Sequence, residues 1–143
     1  MVNTFLPVPD FKETAQLLDY KRLGKQRVET WQILTALTTN TKGWRNHPAT
    51  LMWEGYEPAL IKYGIAICKE WIKRGYNDTM LPRFQELDNW NNPDMAWWLG
   101  NKNFHKSHQS NLKRKDPIYY QFNVPDDLPY LWANNENKTW RTI

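Results

Sequence analysis

Between Pro58 and Gly75 the apolar residues recur at the interval of an α-helix: Leu60, Tyr63, Gly64, Ile67, Trp71 and Ile72 lie along one broad face. The ends of the segment agree with that period. Pro58 suits a first turn, where its missing N–H would have no intrahelical acceptor anyway. Lys73 and Arg74 put cations at the carbonyl end, and Gly75 follows as a residue free to turn left-handed. A helix with so wide an apolar face must be covered by other elements, and the rest of the chain supplies helices to do it. Asp10 with Glu13 forms a capping-box-like pair ahead of the stripe Phe11, Ala15 and Leu18. A kink or break is expected at Leu23-Gly24, because glycine costs about 1 kcal/mol relative to alanine in a helix interior. A second helix then covers about residues 24–38, with Val28, Trp31, Leu34 or Thr35, Leu37 and Thr38 towards its buried side. Pro48 opens a short helix to about Gly55. A short apolar helix is expected at 93–99, and a longer one at 101–115.

Residues 1–9 are expected to be extended because of their two prolines. The segment 40–47 reads as a loop, and 77–92 as a loop with room for one helical turn. After Asp116-Pro117, prolines alternate with Tyr119, Tyr120, Phe122, Tyr130, Trp132 and Trp140, which reads as an extended segment laid over the helices. No strand pair stands out. The expected fold is all-α: a compact single-domain helical bundle over residues 1–143, with an extended N-terminal segment and an aromatic, proline-rich C-terminal tail.

Composition narrows the function classes. At 143 residues, with 41% hydrophobic residues and nine Trp, the chain can bury one core and is not disordered by composition. Its single cysteine, Cys68, allows neither an intrachain disulfide nor a cysteine-ligated zinc site, and its apolar helical setting reads as core. No stretch approaches the roughly 20 apolar residues of a membrane span, and no basic-then-apolar start resembles a secretory signal, so a cytoplasmic location is expected. No cofactor is implied.

The net charge of +4 suits an anionic partner, and the clustering of charge is more specific. Lys21, Arg22, Lys25 and Arg27 meet at the first helix junction. From Met95 to Lys115 there is only the acid-free run Lys102, Lys106, Lys113, Arg114 and Lys115 with His105 and His108. Such runs neutralise phosphates, and they also occur as plain solvated helix faces. His105 and His108 share one helix side, but no third metal ligand accompanies them, and hydrogen-bonded or phosphate-facing roles are expected. His47-Pro48, with Arg45 just upstream, stands at a helix start, where free N–H groups favour an anion and where His47 can equally serve as a cap.

Several strings resemble the pyrimidine-dimer DNA glycosylase/AP lyase family of the phage endonuclease V type. They are Leu-Leu-Asp-Tyr-Lys-Arg-Leu at 17–23 and Cys-Lys-Glu-Trp-Ile-Lys-Arg-Gly-Tyr-Asn at 68–77, with His47 suitably upstream. A bacterial and phage branch assigned to the family is more similar still. It shares Arg-Leu-Gly-Lys-Gln-Arg-Val-Glu at 22–29, His-Pro-Ala then Met-Trp at 47–53, Phe-His-Lys-Ser-His at 104–108 and Pro-Asp-Asp-Leu-Pro-Tyr at 125–130.

The resemblance implies a compact helical protein with its amino terminus between helices. There an α-amine attacks C1′ of a damaged nucleotide, forms an imine and cuts the strand by β-elimination. That amine is expected on Val2 if Met1 is removed, or on Met1 otherwise. The family's helix glutamate falls at Arg22, which cannot act as a carboxylate, while Lys21 and Lys25 fall at arginine positions. Glu29 is the nearest acid on the same face, about 10 Å further along the helix, and its i,i+4 spacing from Lys25 also suits an ordinary ion pair. The expected catalytic residues are thus Val2 and Glu29. The expected binding residues are Lys21, Arg22, Lys25, Arg45, His47, His105, His108, Arg114 and Lys115. Two functions follow: a DNA glycosylase with or without lyase activity, or a non-catalytic binder of nucleic acid or of a sequestered nucleotide on the same scaffold. The aromatic tail equally suits a homodimer interface.

Overall fold

The computed structural model describes residues 2–39 and 43–142. Met1 and the first part of the expected 40–47 loop lie outside them. Six α-helices carry the described chain: α1 (Phe11–Leu17), α2 (Tyr20–Thr39), α3 (Pro48–Leu51), α4 (Glu57–Lys73), α5 (Leu81–Leu87) and α6 (Lys102–Lys115). A 3-10 turn at Trp44–Asn46 precedes α3, and two short strands, β1 (Leu131–Asn134) and β2 (Thr139–Thr142), close the chain. The architecture is mainly helical, and the all-α expectation is corrected by this hairpin. The strands pair antiparallel, with Trp132 opposite Arg141 and Ala133 opposite Trp140. Lys138 takes a left-handed φ of 53° in the turn between them.

α4 is the hub. Ala59, Leu60, Ile61, Tyr63, Gly64, Ile67 and Cys68 are buried along it, and α1, α2 and α5 pack against it. Gly64 is required by α5: a Cβ there would stand 2.5 Å from the ring of Phe84, which is fully buried.

The first helix break comes earlier than expected. α1 ends at Leu17, Leu18 is extended with ψ 140°, and α2 runs unbroken through Gly24. Asp19 makes the break. Its carbonyl accepts the Leu23 N–H at 2.9 Å, its own N–H donates to the Tyr120 hydroxyl at 2.8 Å, and its carboxylate accepts from that hydroxyl. Gly24 instead permits close packing, since a Cβ there would lie 3.0 Å from the Trp71 ring. Val28, expected on the buried side, is 44% exposed, and Thr38 is exposed as well.

Two further expectations are corrected. Residues 93–99 form no helix: they approach as extended chain and turn, although Ala96 and Trp98 are buried as an apolar segment should be. Within 77–92, α5 makes two turns. Asp78 starts it by accepting the N–H groups of Met80 and Leu81 at 3.1 and 2.7 Å while pairing with Arg27 of α2 at 2.6 Å.

Candidate functional site

The first residues of the described chain are threaded into the core. Val2, Asn3, Thr4, Phe5 and Leu6 are all buried, so their backbone groups need partners inside the protein. Gln26 of α2 supplies two. Its Oε1 accepts the Phe5 N–H at 3.0 Å and its Nε2 donates to the Asn3 carbonyl at 2.9 Å. The Tyr63 hydroxyl lies 2.7 Å from both the Phe5 carbonyl and Gln26 Oε1, and Trp53 Nε1 donates to Thr4 Oγ1 at 3.0 Å.

α6 holds the other side. His105 Nδ1 lies 2.7 Å from the Leu6 carbonyl while its Nε2 accepts from Gly100 N–H at 2.9 Å. His108 Nδ1 accepts the Leu6 N–H at 3.1 Å. These bonds require neutral rings. Burial lowers the pKa of both, and that of His108 falls to about 3. His105 and His108 therefore clamp the N-terminal segment, and neither presents a face to an outside phosphate. The signal for Gln26 was legible in part: a polar residue in register with Leu23, Thr30 and Ile33 on a buried face must find partners there.

Beside the threaded segment lies a cavity of about 380 Å³ lined by Asn3, Phe5, Lys21, Arg22, Lys25, Glu29, Lys115 and Tyr130. Helical spacing explains half of the lining: Lys21, Arg22, Lys25 and Glu29 are consecutive side chains on one side of α2. The last turn of α6 contributes Lys115, and the chain just before β1 contributes Tyr130. Three lysines and an arginine thus face one carboxylate beside the start of the chain.

Glu29 is half buried and accepts from Gln26 Nε2 at 3.0 Å. Burial raises its pKa, and the charges of Lys25 and Lys115 oppose that rise. Among the described residues no ion pair joins Lys25 to Glu29, so the simple helix-surface pair expected from spacing is not formed. Arg22 pairs with Asp19 at 3.3 Å.

The remaining expected residues sit elsewhere. Arg45 pairs with Glu54. His47 caps α3, its Nδ1 accepting the Ala49 N–H at 3.1 Å, and its ring meets the edges of Trp44 and Trp132. Arg114 donates to the carbonyls of Asp126 and Leu128 and to Asn111 Oδ1, so it ties the tail to α6. None of the three lines the cavity. Asn3, Phe5 and Tyr130 do, and sequence patterns gave no sign of them, because they lie in extended segments whose placement is set by tertiary contacts.

A threaded chain start beside a partly open, cation-lined cavity with a half-buried carboxyl defines a class of mainly helical protein with a basic hollow at its amino-terminal segment. A family model described as pyrimidine dimer DNA glycosylase matches residues 2–83, and the chain belongs to that family. It is a family of DNA-repair glycosylases, and DNA is the substrate that membership implies. No curated protein and no solved structure matches the chain. The matched stretch includes Lys21, Arg22, Lys25 and Glu29 but neither Lys115 nor Tyr130. No helix among the described residues is long and apolar enough to cross a membrane.

Proposed function

We propose that this protein is a DNA glycosylase with AP lyase activity that works through the amine of Val2, exposed when Met1 is removed. The observation that carries this reading is the juxtaposition of Asn3, next to Val2, with Lys21, Lys25 and Glu29 in one cavity. An α-amine has a reference pKa of about 7.7–8.0, and neighbouring lysines disfavour its protonation further, so a fraction is free base at neutral pH.

In the proposed reaction the amine attacks C1′, the glycosidic bond breaks and the base leaves with a proton. A proton then passes to the ring oxygen as the sugar opens, leaving an imine at C1′. Glu29 takes a proton from C2′, the C3′–O bond breaks and the phosphate departs. Water hydrolyses the imine and restores the amine. Lys21, Lys25 and Lys115 neutralise the phosphates on either side. Glu29 stands in for the glutamate that Arg22 replaces, and its raised pKa suits a group that exchanges protons.

Arg22 at the family's glutamate position favours a second reading, in which the cavity holds a nucleic acid or nucleotide without cutting it. Borohydride reduction on a duplex with one abasic site separates the two. A covalent protein–DNA adduct that disappears when the amino terminus is chemically blocked supports the enzyme. Lesion-selective binding with no adduct and no strand cut supports the binding protein.

A further inference from the structure

The link between α1 and α2 is tied to a residue 101 positions further along the chain. Asp19, 7% exposed, meets the hydroxyl of Tyr120 twice: its backbone N–H donates to that oxygen at 2.8 Å, and its Oδ1 accepts the hydroxyl proton. Two bonds to one oxygen fix the Asp19 side chain against its own backbone. Tyr120 is itself held. It is buried, its ring stacks on Phe122 at 6.0 Å and meets Tyr119 edge-on at 4.9 Å, and its N–H donates to the Asp116 carbonyl at 2.9 Å. Burial raises the pKa of its hydroxyl, which therefore stays a donor. The same Asp19 Oδ1 accepts from Arg22 Nη1 at 3.3 Å. Among the described residues the Arg22 guanidinium makes no other hydrogen bond, although it carries five N–H donors. Arg22 lines the cavity with Lys21, Lys25, Glu29 and Lys115.

We propose that Asp19 and Tyr120 are positioning residues that set Arg22 as a two-pronged donor to one phosphate of a DNA strand in this cavity. This rests on the DNA-glycosylase reading and deepens it. The chemistry of the arrangement selects the ligand. A guanidinium presents parallel N–H groups in a rigid plane, which match two oxygens of a phosphate, whereas a lysine ammonium is a point charge on a flexible stem. A long side chain that is free in solvent loses conformational entropy when a ligand orders it. One already tethered to a fixed carboxylate loses less. The tether engages a single nitrogen of Arg22, so donors remain for a second acceptor. Lys21, Lys25 and Lys115 thus supply charge around the site, and Arg22 supplies direction. Tyr120 lies outside the stretch that matches the family model, so part of the site's geometry is set by the chain's own C-terminal part.

The test uses Arg22→Lys and Tyr120→Phe in the full chain, each at a temperature where circular dichroism shows it folded. Affinity is measured for a duplex with one tetrahydrofuran abasic analogue, and for the same duplex with an uncharged methylphosphonate at the linkage 5′ or 3′ to it. Wild type is expected to prefer the abasic duplex over undamaged duplex. Making one of the two linkages neutral should cost it about tenfold, the scale of a hydrogen bond to a charged group. Arg22→Lys keeps the charge and lacks the fork. It should bind the all-phosphate duplex about tenfold more weakly, and neutralising the same linkage should cost it no more than about threefold, the scale of an exposed point-charge contact. Tyr120→Phe should show the same blunted response although Arg22 is intact, which a purely structural loss would not produce. Asp19→Asn, which keeps an acceptor for the hydroxyl, gives the same readout if Tyr120→Phe does not fold. A full wild-type response to the neutral linkage in Arg22→Lys or in the positioning variant overturns the inference, as does a wild type indifferent to both linkages, while DNA binding stands. Binding of thymidine 5′-monophosphate that depends on Arg22, with no linkage effect in the duplex, would assign the fork to a free nucleotide and also overturn it. A wild type with no preference for the abasic duplex overturns the glycosylase reading itself.

Discussion

Glu29 is the residue on which proton transfer turns in the proposed reaction. Burial makes its folded carboxyl hold a proton more tightly than it does in the unfolded chain. Stability from this group is therefore greatest at low pH and falls as pH rises through the raised pKa. Activity runs the other way, because only the ionised carboxylate can take the C2′ proton. The acid limb of the pH–rate profile should accordingly lie above the ordinary glutamate value of about 4.3. Glu29→Gln should cut strand cleavage about a hundredfold or more, remove that limb and leave the melting temperature at neutral pH level or higher. A variant that cleaves normally assigns the proton transfer to another group. Away from the site, Gly64→Ala should destabilise by roughly 1–3 kcal/mol through overpacking against Phe84, read from chemical denaturation; an unchanged midpoint would mean that the ring moves aside freely.

At the scale of elements, the threaded segment is held by α6 through two neutral histidines. The folded pKa of each lies below the unfolded value of about 6.5, so folding excludes protons that the unfolded chain binds. That contribution is present above pH 6.5 and is lost as pH falls towards the folded value, about 3 for His108. Acidification should therefore release the N-terminal segment, seen as a change in tryptophan fluorescence between pH 6.5 and 4 that is diminished in Trp53→Phe, because Trp53 donates to Thr4 of that segment. His108→Gln, which keeps an acceptor and cannot ionise, should flatten the transition. The sequence announced α4 through its apolar period and its end signals, because those signals are local, and it placed α6 at 101–115, ahead of Asp116-Pro117. It misplaced the first break, since the pairing that fixes Asp19 comes from Tyr120, a hundred residues away in the chain. The hairpin was hidden for a similar reason: Trp132 is buried by contacts with His47 and Tyr130 rather than marked by alternation in a strand of four residues. Of the candidate site, Lys21 to Glu29 was legible because its charges cluster closely in sequence, although the break expected at Gly24 divided a stretch that α2 carries whole. His105 and His108 were legible as chemistry but not as direction, because the acid-free run around them resembled an open basic face.

For the whole molecule, binding should depend on salt. Lys21, Lys25 and Lys115 come from two helices yet face one hollow, so replacing any of them with alanine should weaken binding across sequences. Each replacement should also reduce the slope of log affinity against log salt by about 1. Unchanged slopes in all three variants would place the DNA elsewhere on the surface. The central claim concerns which nitrogen meets the sugar. Peptide mapping by mass spectrometry of the borohydride-reduced adduct identifies it directly. The modification is expected on the α-amine of Val2. A reduced adduct carried by Lys21, Lys25 or Lys115 would show instead that a lysine side chain lining the hollow, and not the threaded start of the chain, is the nucleophile.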